Sequence, residues 1–158
     1  MVPPEGFPPK IVYGAPEGAQ AAVAAGIHLG VLPTTGRPRP EEFVRAPYFA
    51  TLGEADRGFL HFCGIDGEGR EVYLAGAGRA FPLLARAIRE AAGLAGLPHQ
   101  TFHLIDCAPV LDFLARLGGR CWAFFFGPGR GRLFLAWTLR RCYPGLAELV
   151  LRTGRAVR

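Results

Sequence analysis

The sequence predicts an α/β fold: a three-layer, mostly parallel sheet with one β-hairpin and helices on both faces. Short apolar runs, typical of buried strands, alternate with segments that favour helices. Two strand-like runs flank Asp-Gly-Glu-Gly at residues 66–69, which is a hairpin pattern. The first strand passes through a glycine turn, Gly14 to Gly18, into an alanine-rich helix. These three observations together define the fold class.

The chain has 158 residues, half of them hydrophobic and a fifth charged, which suits one folded domain over residues 10–158. Residues 1–9 contain four prolines and are expected to form an extended arm. No apolar run approaches the roughly 20 residues of a membrane helix, so no membrane association is expected. The start of the chain has no secretory signal pattern, which predicts a cytoplasmic location.

In the first half of the chain, residues 10–13 are predicted to form a strand because they are apolar and partly β-branched. Residues 19–29 have high helix propensity; Pro16 and Glu17 suit the start of this helix, and Gly30 suits its cap. Prolines predict a loop over 33–40, and a helical first turn follows at 40–43. Strands are predicted at 59–65 and 71–75.

In the second half, residues 80–94 are predicted to form an amphipathic helix and residues 101–105 a strand. A short helix is expected at 109–117, ended by two glycines. Residues 121–126 are almost entirely apolar, which predicts a strand that is covered on both faces. A loop is expected at 127–131 and a helix at 133–141, with Pro144 and Gly145 breaking or kinking it before 146–151.

Charge is distributed unevenly along the chain, whose formal net charge is +5. Residues 116–158 contain nine arginines and one acid, Glu148, whereas the first 115 residues contain nine basic and twelve acidic side chains. Such asymmetry is compatible with nucleic-acid binding. Two features count against it. Lys10 is the only lysine, which indicates a general preference for arginine, and the aromatics Trp122, Phe124 and Phe125 fall in a segment expected to be buried.

The cysteines and histidines show no metal-ligand spacing, so neither a metal site nor a cofactor is predicted. Cys63, Cys107, Cys121 and Cys142 are far apart and are expected to be small buried side chains. His61 and His103 lie in strand-like runs and are interpreted as structural.

Two strand-to-helix turns are candidate ligand-binding sites. The Gly14–Gly18 turn has the geometry at which helix N-termini bind anions, with Gly14, Gly18 and Gln20 as candidates. It lacks the residues of a P-loop or a dinucleotide fingerprint. In the second turn, Gly78 allows close backbone approach to a ligand, and Arg79 could bind a phosphate or carboxylate.

Candidate catalytic residues are few. His28 lies near the end of the first predicted helix, and Asp106 ends a strand, where α/β enzymes often place a working carboxylate or a helix cap. Asp66 and Glu68 are interpreted as hairpin-turn residues. The chain contains no serine, which excludes a serine hydrolase.

The chain resembles a bacterial family, domain of unknown function 3189, known mostly from spore-forming Firmicutes. The likeness extends over nearly the whole chain after residue 9. It rests on residues 24–30 (Ala-Ala-Gly-Ile-His-Leu-Gly), Leu32-Pro33, 47–49, 64–69 with Val72-Tyr73 and Gly76, 117–119, Ala136-Trp137 and Tyr143-Pro144. The resemblance implies a cytosolic bacterial protein and carries no established activity.

The chain departs from this family at the first turn. Members have a Gly-Gly-Thr-His-Ser-like turn before the first helix, and its histidine aligns with Ala19 here, followed by Gln20 and Ala21. The resemblance therefore implies a diverged member that has lost these polar groups.

Three functions remain open from the sequence. The leading hypothesis is a domain that binds a small ligand or a protein partner without catalysis, because the paired residues of acid–base chemistry are missing. An enzyme acting on a phosphorylated or carboxylated small molecule is the alternative; Gly18, Gly78 and Arg79 would hold the anion. The third is nucleic-acid binding by the arginine-rich last third of the chain.

Overall fold

The computed structural model describes residues 7–116, 124, 125 and 127–157. Among them are four strands: β1 (Lys10–Ala15), β2 (His61–Ile65), β3 (Glu71–Gly76) and β4 (Phe102–Asp106). They form one sheet in the order β2-β3-β1-β4; β1 is parallel to both β3 and β4, and β2 is antiparallel to β3. The predicted α/β class, with a mostly parallel sheet and one hairpin, is confirmed.

The long helices among the described residues are α1 (Gly18–His28), α2 (Phe81–Leu94) and α3 (Pro128–Ala156). The connections contain short 3₁₀ turns at Pro40–Arg45, Glu54–Asp56, Gly78–Ala80, His99–Thr101 and Ala108–Val110. The first of these is the predicted helical turn at 40–43, which extends two residues further.

Helix α1 lies between the sheet and α3, which explains why its sequence is apolar on every side. Its residues 19–27 are all buried. The helix begins where Glu17 N donates to Gln20 Oε1 over 3.1 Å and Gln20 N donates to Glu17 O over 3.2 Å. This layer forms the main core: Ile11 and Tyr13 of β1, and Leu139 and Leu146 of α3, belong to one buried cluster with α1.

Helix α2 covers the other face of the sheet. Val12 and Gly14 alternate with the core residues of β1, so they point to this second face. Phe81, the first residue of α2, lies directly against Gly14, and a Cβ atom at position 14 would occupy the place of the ring. The three-layer prediction is therefore confirmed, and Gly14 is required by the contact with α2.

The predicted loop at 127–131 and the predicted interruption at 144–145 are both wrong, because α3 is continuous from Pro128 to Ala156. Pro128 occupies the first turn, where backbone N–H groups have no acceptor within the helix. The missing N–H of proline therefore costs no hydrogen bond there. Pro144 lies inside the helix on its exposed side, where water can satisfy the carbonyl left without a partner. Packing of α3 against α1 outweighs the low helix propensity of these residues.

The structure also differs from the helix predicted at 109–117 and from the strand predicted at 121–126, wherever these residues are described. A 3₁₀ turn at Ala108–Val110 precedes a separate helical turn at 113–116, and residue 117 lies outside the described residues. Phe124 and Phe125 have helical backbone and exposed rings, so they are not part of a buried strand. Residues 121–123 and 126 lie outside the described residues, as do residues 1–6 of the predicted arm. Residues 7–9 have no regular structure.

The described cysteines are free thiols in apolar surroundings, as expected. Cys107 and Cys142 are buried and Cys63 is partly buried. Burial raises the pKa of the Cys63 thiol to about 12 and also raises the pKa of Cys107. Neither thiol is therefore set up as a nucleophile. Cys121 lies outside the described residues.

No helix in the described part of the chain is long and apolar enough to cross a membrane.

Substitution of Gly14 by alanine should destabilise the protein because the new methyl group collides with the Phe81 ring. We expect a loss of about 1–3 kcal/mol in the free energy of unfolding, measured by urea denaturation. Gly93→Ala is the matched control: Gly93 is an exposed position of α2 with no atom within 4 Å of the added Cβ. It should be neutral or stabilising by up to about 1 kcal/mol. Equal effects of the two substitutions would contradict the packing of α2 on β1.

Candidate functional site

The carboxyl ends of β1, β3 and β4 meet at one edge of the sheet because the three strands are parallel. After β1 the chain enters α1 on one face, whereas after β3 it enters α2 on the other face. Where connections from neighbouring strands leave in opposite directions, a crevice opens at the carboxyl edge, and α/β proteins bind ligands in such crevices.

Backbone hydrogen bonds fix the turns around this crevice. Ala77 N donates to Ala15 O over 3.0 Å, and Gly78 N donates to Pro16 O over 3.1 Å. A Cβ atom at Gly76 would lie 2.8 Å from Gly18 N, so glycine is needed there for the first turn of α1 to contact β3. Gly78 has φ +58°, a conformation that glycine adopts without strain. The turns after β1 and β3 are therefore held against each other.

The crevice contains a smaller cavity of about 280 Å³. Gly18 and Ala19, in the first turn of α1, line it, and backbone N–H groups in a first helical turn lack intrahelical acceptors. Its wall includes the apolar side chains of Leu52 and Leu135. Its charged lining residues carry both signs: Glu17, Glu54, Asp56, Arg57 and Arg132.

A larger cavity of about 900 Å³ adjoins it and shares Pro16, Glu17 and Arg57 with it. Arg79 and Arg116 complete a set of three arginines around this cavity, and Glu17 is the single acid among its described lining residues. We call the two cavities together the carboxyl-edge cleft. Guanidinium groups form paired hydrogen bonds with carboxylates and phosphates, so the larger cavity is suited to an anion.

Three phenylalanines, Phe113, Phe124 and Phe125, line the same larger cavity and are exposed. Phe113 and Arg116 belong to the helical turn that follows β4. The cavity therefore extends from the turn after β3, past the turn after β1, to the connection after β4.

The predicted ligand-binding residues divide into two groups. Gly18 lines the smaller cavity, and Gly78 and Arg79 line the larger one, so the structure brings these three to one cleft. Gly14 is covered by Phe81. Gln20 is fully buried: its Oε1 accepts from Glu17 N and its Nε2 donates to Ala115 O. Gly14 and Gln20 therefore contact other parts of the fold around this turn.

Asp106 ends β4, as expected. Its Oδ1 accepts a hydrogen bond of 2.9 Å from Ala108 N, the first residue of the 3₁₀ turn at Ala108–Val110.

His28 lies at the opposite edge of the sheet, at the end of α1, in a chain of buried polar groups. His28 Nε2 is 2.9 Å from Asp66 Oδ2, and His28 Nδ1 is 2.7 Å from Tyr13 Oη. An ionised carboxylate only accepts, so Nε2 donates to Asp66. Burial raises the pKa of Tyr13 well above its usual range, so its hydroxyl keeps its proton beside His28 Nδ1. Both ring nitrogens of His28 are therefore occupied.

Asp66 is the centre of this network. Its Oδ1 accepts from the backbone N–H groups of Glu68 and Arg70, which confirms its place as a hairpin-turn residue, and Oδ2 also accepts from Arg70 Nε over 2.6 Å. Burial opposes its ionisation, but these hydrogen bonds and the one from His28 hold the pKa of the carboxyl well below its usual range. In Glu68, the second predicted turn residue, the carboxylate oxygen Oε2 lies 3.2 Å from Arg70 Nη1.

This network borders a third cavity, of about 370 Å³, which is lined by His28, Asp66, Arg70 and Arg155 among others. The structure thus places His28 apart from Gly18, Gly78 and Arg79, in a different cavity at the other edge of the sheet. Among the described residues no group of three or more metal-binding side chains occurs.

Sequence reasoning missed Arg57, Arg116 and the exposed phenylalanines of the cleft. Arg57 follows the 3₁₀ turn at Glu54–Asp56, far along the chain from either glycine turn. A Cβ atom at Gly78 would lie 3.8 Å from Arg57 Nη1, so the guanidinium reaches the turn after β3. No local pattern marks these residues, since only the tertiary fold brings them together.

The fold and the cleft define an α/β domain with an arginine-lined crevice at the carboxyl edge of a parallel sheet. The family model for a protein of unknown function, DUF3189, matches residues 10–154, and the chain belongs to that family. No curated protein and no solved structure matches the chain.

Ala19, in the first turn of α1, lines the smaller cavity, whereas His28 lies at the other end of the helix. Nine residues of helix separate the two positions by about 13 Å. Tyr13 and Asp66 hold His28 in place.

Replacement of Asp66 by asparagine should destabilise the protein by about 3–5 kcal/mol at pH 7, because it removes the buried carboxylate beside Arg70 Nε and leaves this arginine paired with the more exposed carboxylate of Glu68. The folded-state pKa of Asp66 lies below its unfolded value, so its stabilisation is complete above about pH 4 and is lost as the pH falls further. The variant should lack this part of the acid dependence. The measurement is the free energy of unfolding in urea from pH 7 to pH 2.

Glu90→Gln is the control, because it breaks an exposed ion pair with Arg86 and should cost less than about 1 kcal/mol. If Asp66→Asn were as mild as this control, or kept the full acid dependence, the network would not have the stabilising role described.

Proposed function

We propose that this protein binds a small anionic molecule, carrying a phosphate or carboxylate group, in the carboxyl-edge cleft. The observation that carries the proposal is the set of three arginines, Arg57, Arg79 and Arg116, around one cavity at the crevice between strand ends. The three arginines come from separate segments: Arg57 from the loop before β2, Arg79 from the turn after β3 and Arg116 from the helical turn after β4.

Concentration of like charge favours an anionic occupant. Three guanidinium groups around one cavity repel each other, and an anion between them removes that repulsion. The first turn of α1 borders the neighbouring cavity and adds the positive end of a helix dipole to the same edge. Both contributions attract negative charge to the cleft.

The same geometry supports binding in preference to catalysis. Of the two candidate proton donors or acceptors, His28 borders a different cavity with both ring nitrogens hydrogen-bonded. Asp106 accepts from the backbone of Ala108. A catalytic acid or base must reach the reacting group directly or through one water, and His28 borders a cavity that Arg57, Arg79 and Arg116 do not line.

Inorganic pyrophosphate should raise the melting temperature of the protein, and Arg79→Ala should remove most of this effect. At a ligand concentration 100 times the Kd, binding adds about 2.7 kcal/mol to the stability of the folded state. Arg79 is exposed, so the substitution should leave the melting temperature without ligand unchanged. The measurement is thermal denaturation with and without pyrophosphate at low ionic strength.

Arg89→Ala is the matched control, because Arg89 is an exposed arginine of α2 that does not line the cleft. It should keep the full pyrophosphate effect. A stabilisation that survives Arg79→Ala, or that Arg89→Ala removes equally, would show that the anion binds elsewhere.

A second candidate function, nucleic-acid binding, is favoured by the outer face of α3. Arg130, Arg141 and Arg152 are spaced eleven residues apart, which is close to three helical turns, and all are exposed. Arg155 and Trp137 are exposed as well, and the Arg141 guanidinium lies 5.4 Å from the Trp137 ring. This basic face is about 38 Å long, the length of roughly one turn of a DNA duplex.

Burial of Phe124 and Phe125 was expected from the sequence and counted against nucleic-acid binding. That expectation is wrong, because both side chains are exposed. Trp122 lies outside the described residues. Two of the arginines already have acidic neighbours: Arg141 lies 3.6 Å from Asp112, and Arg152 contacts Glu148. These pairs weaken the face as a polyanion site, and for this reason it ranks second.

If α3 binds DNA, the double substitution of Arg130 and Arg155 by alanine should lower the slope of log K against log salt concentration by about 2. The measurement is fluorescence anisotropy with a labelled duplex at several salt concentrations. The matched control replaces Arg86 and Arg89, two exposed arginines of α2. Absence of duplex binding at low salt, or an equal change in both double variants, would remove this candidate.

A further inference from the structure

We infer that the anion bound by the cleft is a nucleotide, whose base stacks on the exposed phenylalanines while its phosphate contacts the arginines. The inference rests on the proposed function, because it names the class of anion for the same site.

The first support is the exposure of three aromatic rings inside one cavity. Phe113, Phe124 and Phe125 are 73%, 86% and 74% exposed, and all three line the larger cavity. A large apolar side chain gains about 1.5–3 kcal/mol when it is removed from water. Several such rings together in a concave site mark a surface that binds a partner or ligand.

The second support is the mutual arrangement of the rings. The ring centroids of Phe124 and Phe125 lie 5.4 Å apart with an interplanar angle of 89°. In this edge-to-face pair one ring presents its face away from the other. Nucleobases stack on such faces whatever their identity, because every base has a π-face.

The third support is the size of the cavity. At about 900 Å³ it falls in the range of sites that hold drug-sized ligands, and an inorganic phosphate would fill a small part of it. A ligand with a substantial body besides its anionic group fits a cavity of this size.

The fourth support is the order of charged and aromatic groups along the sheet edge. Arg79 lies in the turn after β3, which the Arg57 guanidinium also reaches, whereas Phe113 follows β4 together with the third arginine, Arg116. Strand β1 lies between β3 and β4, so two strand spacings, about 10 Å, separate the two ends. A nucleoside monophosphate has about this length between base and phosphate, with the ribose over the β1 turn at Pro16 and Glu17.

The test compares four probes by isothermal titration calorimetry: pyrophosphate, ribose 5-phosphate, AMP and adenosine. Stacking of a base on aromatic rings contributes about 1–3 kcal/mol. AMP should therefore bind about 5- to 100-fold more tightly than ribose 5-phosphate, which has the same phosphate and sugar without a base.

Variants of the rings separate stacking from charge. Phe124→Ala together with Phe125→Ala should weaken AMP about 5- to 100-fold and leave ribose 5-phosphate unchanged. Phe113→Ala alone, on a separate segment, tests the same surface should the double variant fold poorly by circular dichroism. Phe59→Ala is the matched control, because Phe59 is 64% exposed but does not line the cleft, and it should leave AMP binding unchanged.

The outcomes distinguish this inference from the proposed function. If AMP and ribose 5-phosphate bind equally, or if the phenylalanine variants weaken both alike, the nucleotide inference is overturned while anion binding stands. If neither pyrophosphate nor any of the phosphate esters binds, both fail. If adenosine without phosphate binds as tightly as AMP, the arginines do not hold the phosphate of the nucleotide, and the nucleotide inference is overturned while anion binding is still decided by pyrophosphate.

Discussion

The close approach of backbones at the carboxyl edge of the sheet is the constraint on which the rest of the site depends. A side chain at Gly76 would collide with the first residue of α1, and one at Gly14 would collide with Phe81 at the start of α2. Because these positions have no side chains, both helices begin directly against the strand ends. The crevice, the turn that carries Arg79 and the first turn of α1 consequently meet at one edge.

The two edges of the sheet serve different purposes in this account. At the amino edge, Tyr13, His28, Asp66 and Arg70 form a buried chain of hydrogen bonds that ties β1, α1 and the hairpin together. These hydrogen bonds stabilise the fold, although Arg70 Nη1 is buried without a hydrogen-bond partner among the described residues. At the carboxyl edge the charged groups are exposed and lie around open cavities. The polar groups of one edge are engaged by the protein itself, whereas those of the other can engage a ligand.

Patterns of apolar residues and turns predicted the strands, the hairpin and α1, because these depend on local sequence and on burial in one core. They misjudged Pro144, whose low helix propensity is outweighed by packing of α3 on α1. Gly78 and Arg79 could be selected from sequence, since both lie in one turn. Arg57 could not, because nothing local relates it to a turn twenty residues away. Composition alone also could not show that Phe124 is exposed.

Chemical-shift mapping tests the central claim, that the carboxyl-edge cleft binds anions, most directly. Amide resonances of ¹⁵N-labelled protein would be followed during titration with pyrophosphate at low ionic strength. The account predicts that the amides of Gly18, Ala19, Gly78 and Arg79 shift together with one saturating curve, while that of Gly67, at the amino edge, stays unchanged. Shifts centred on Gly67 and its neighbours, or no saturating shift at the four cleft amides, would contradict it.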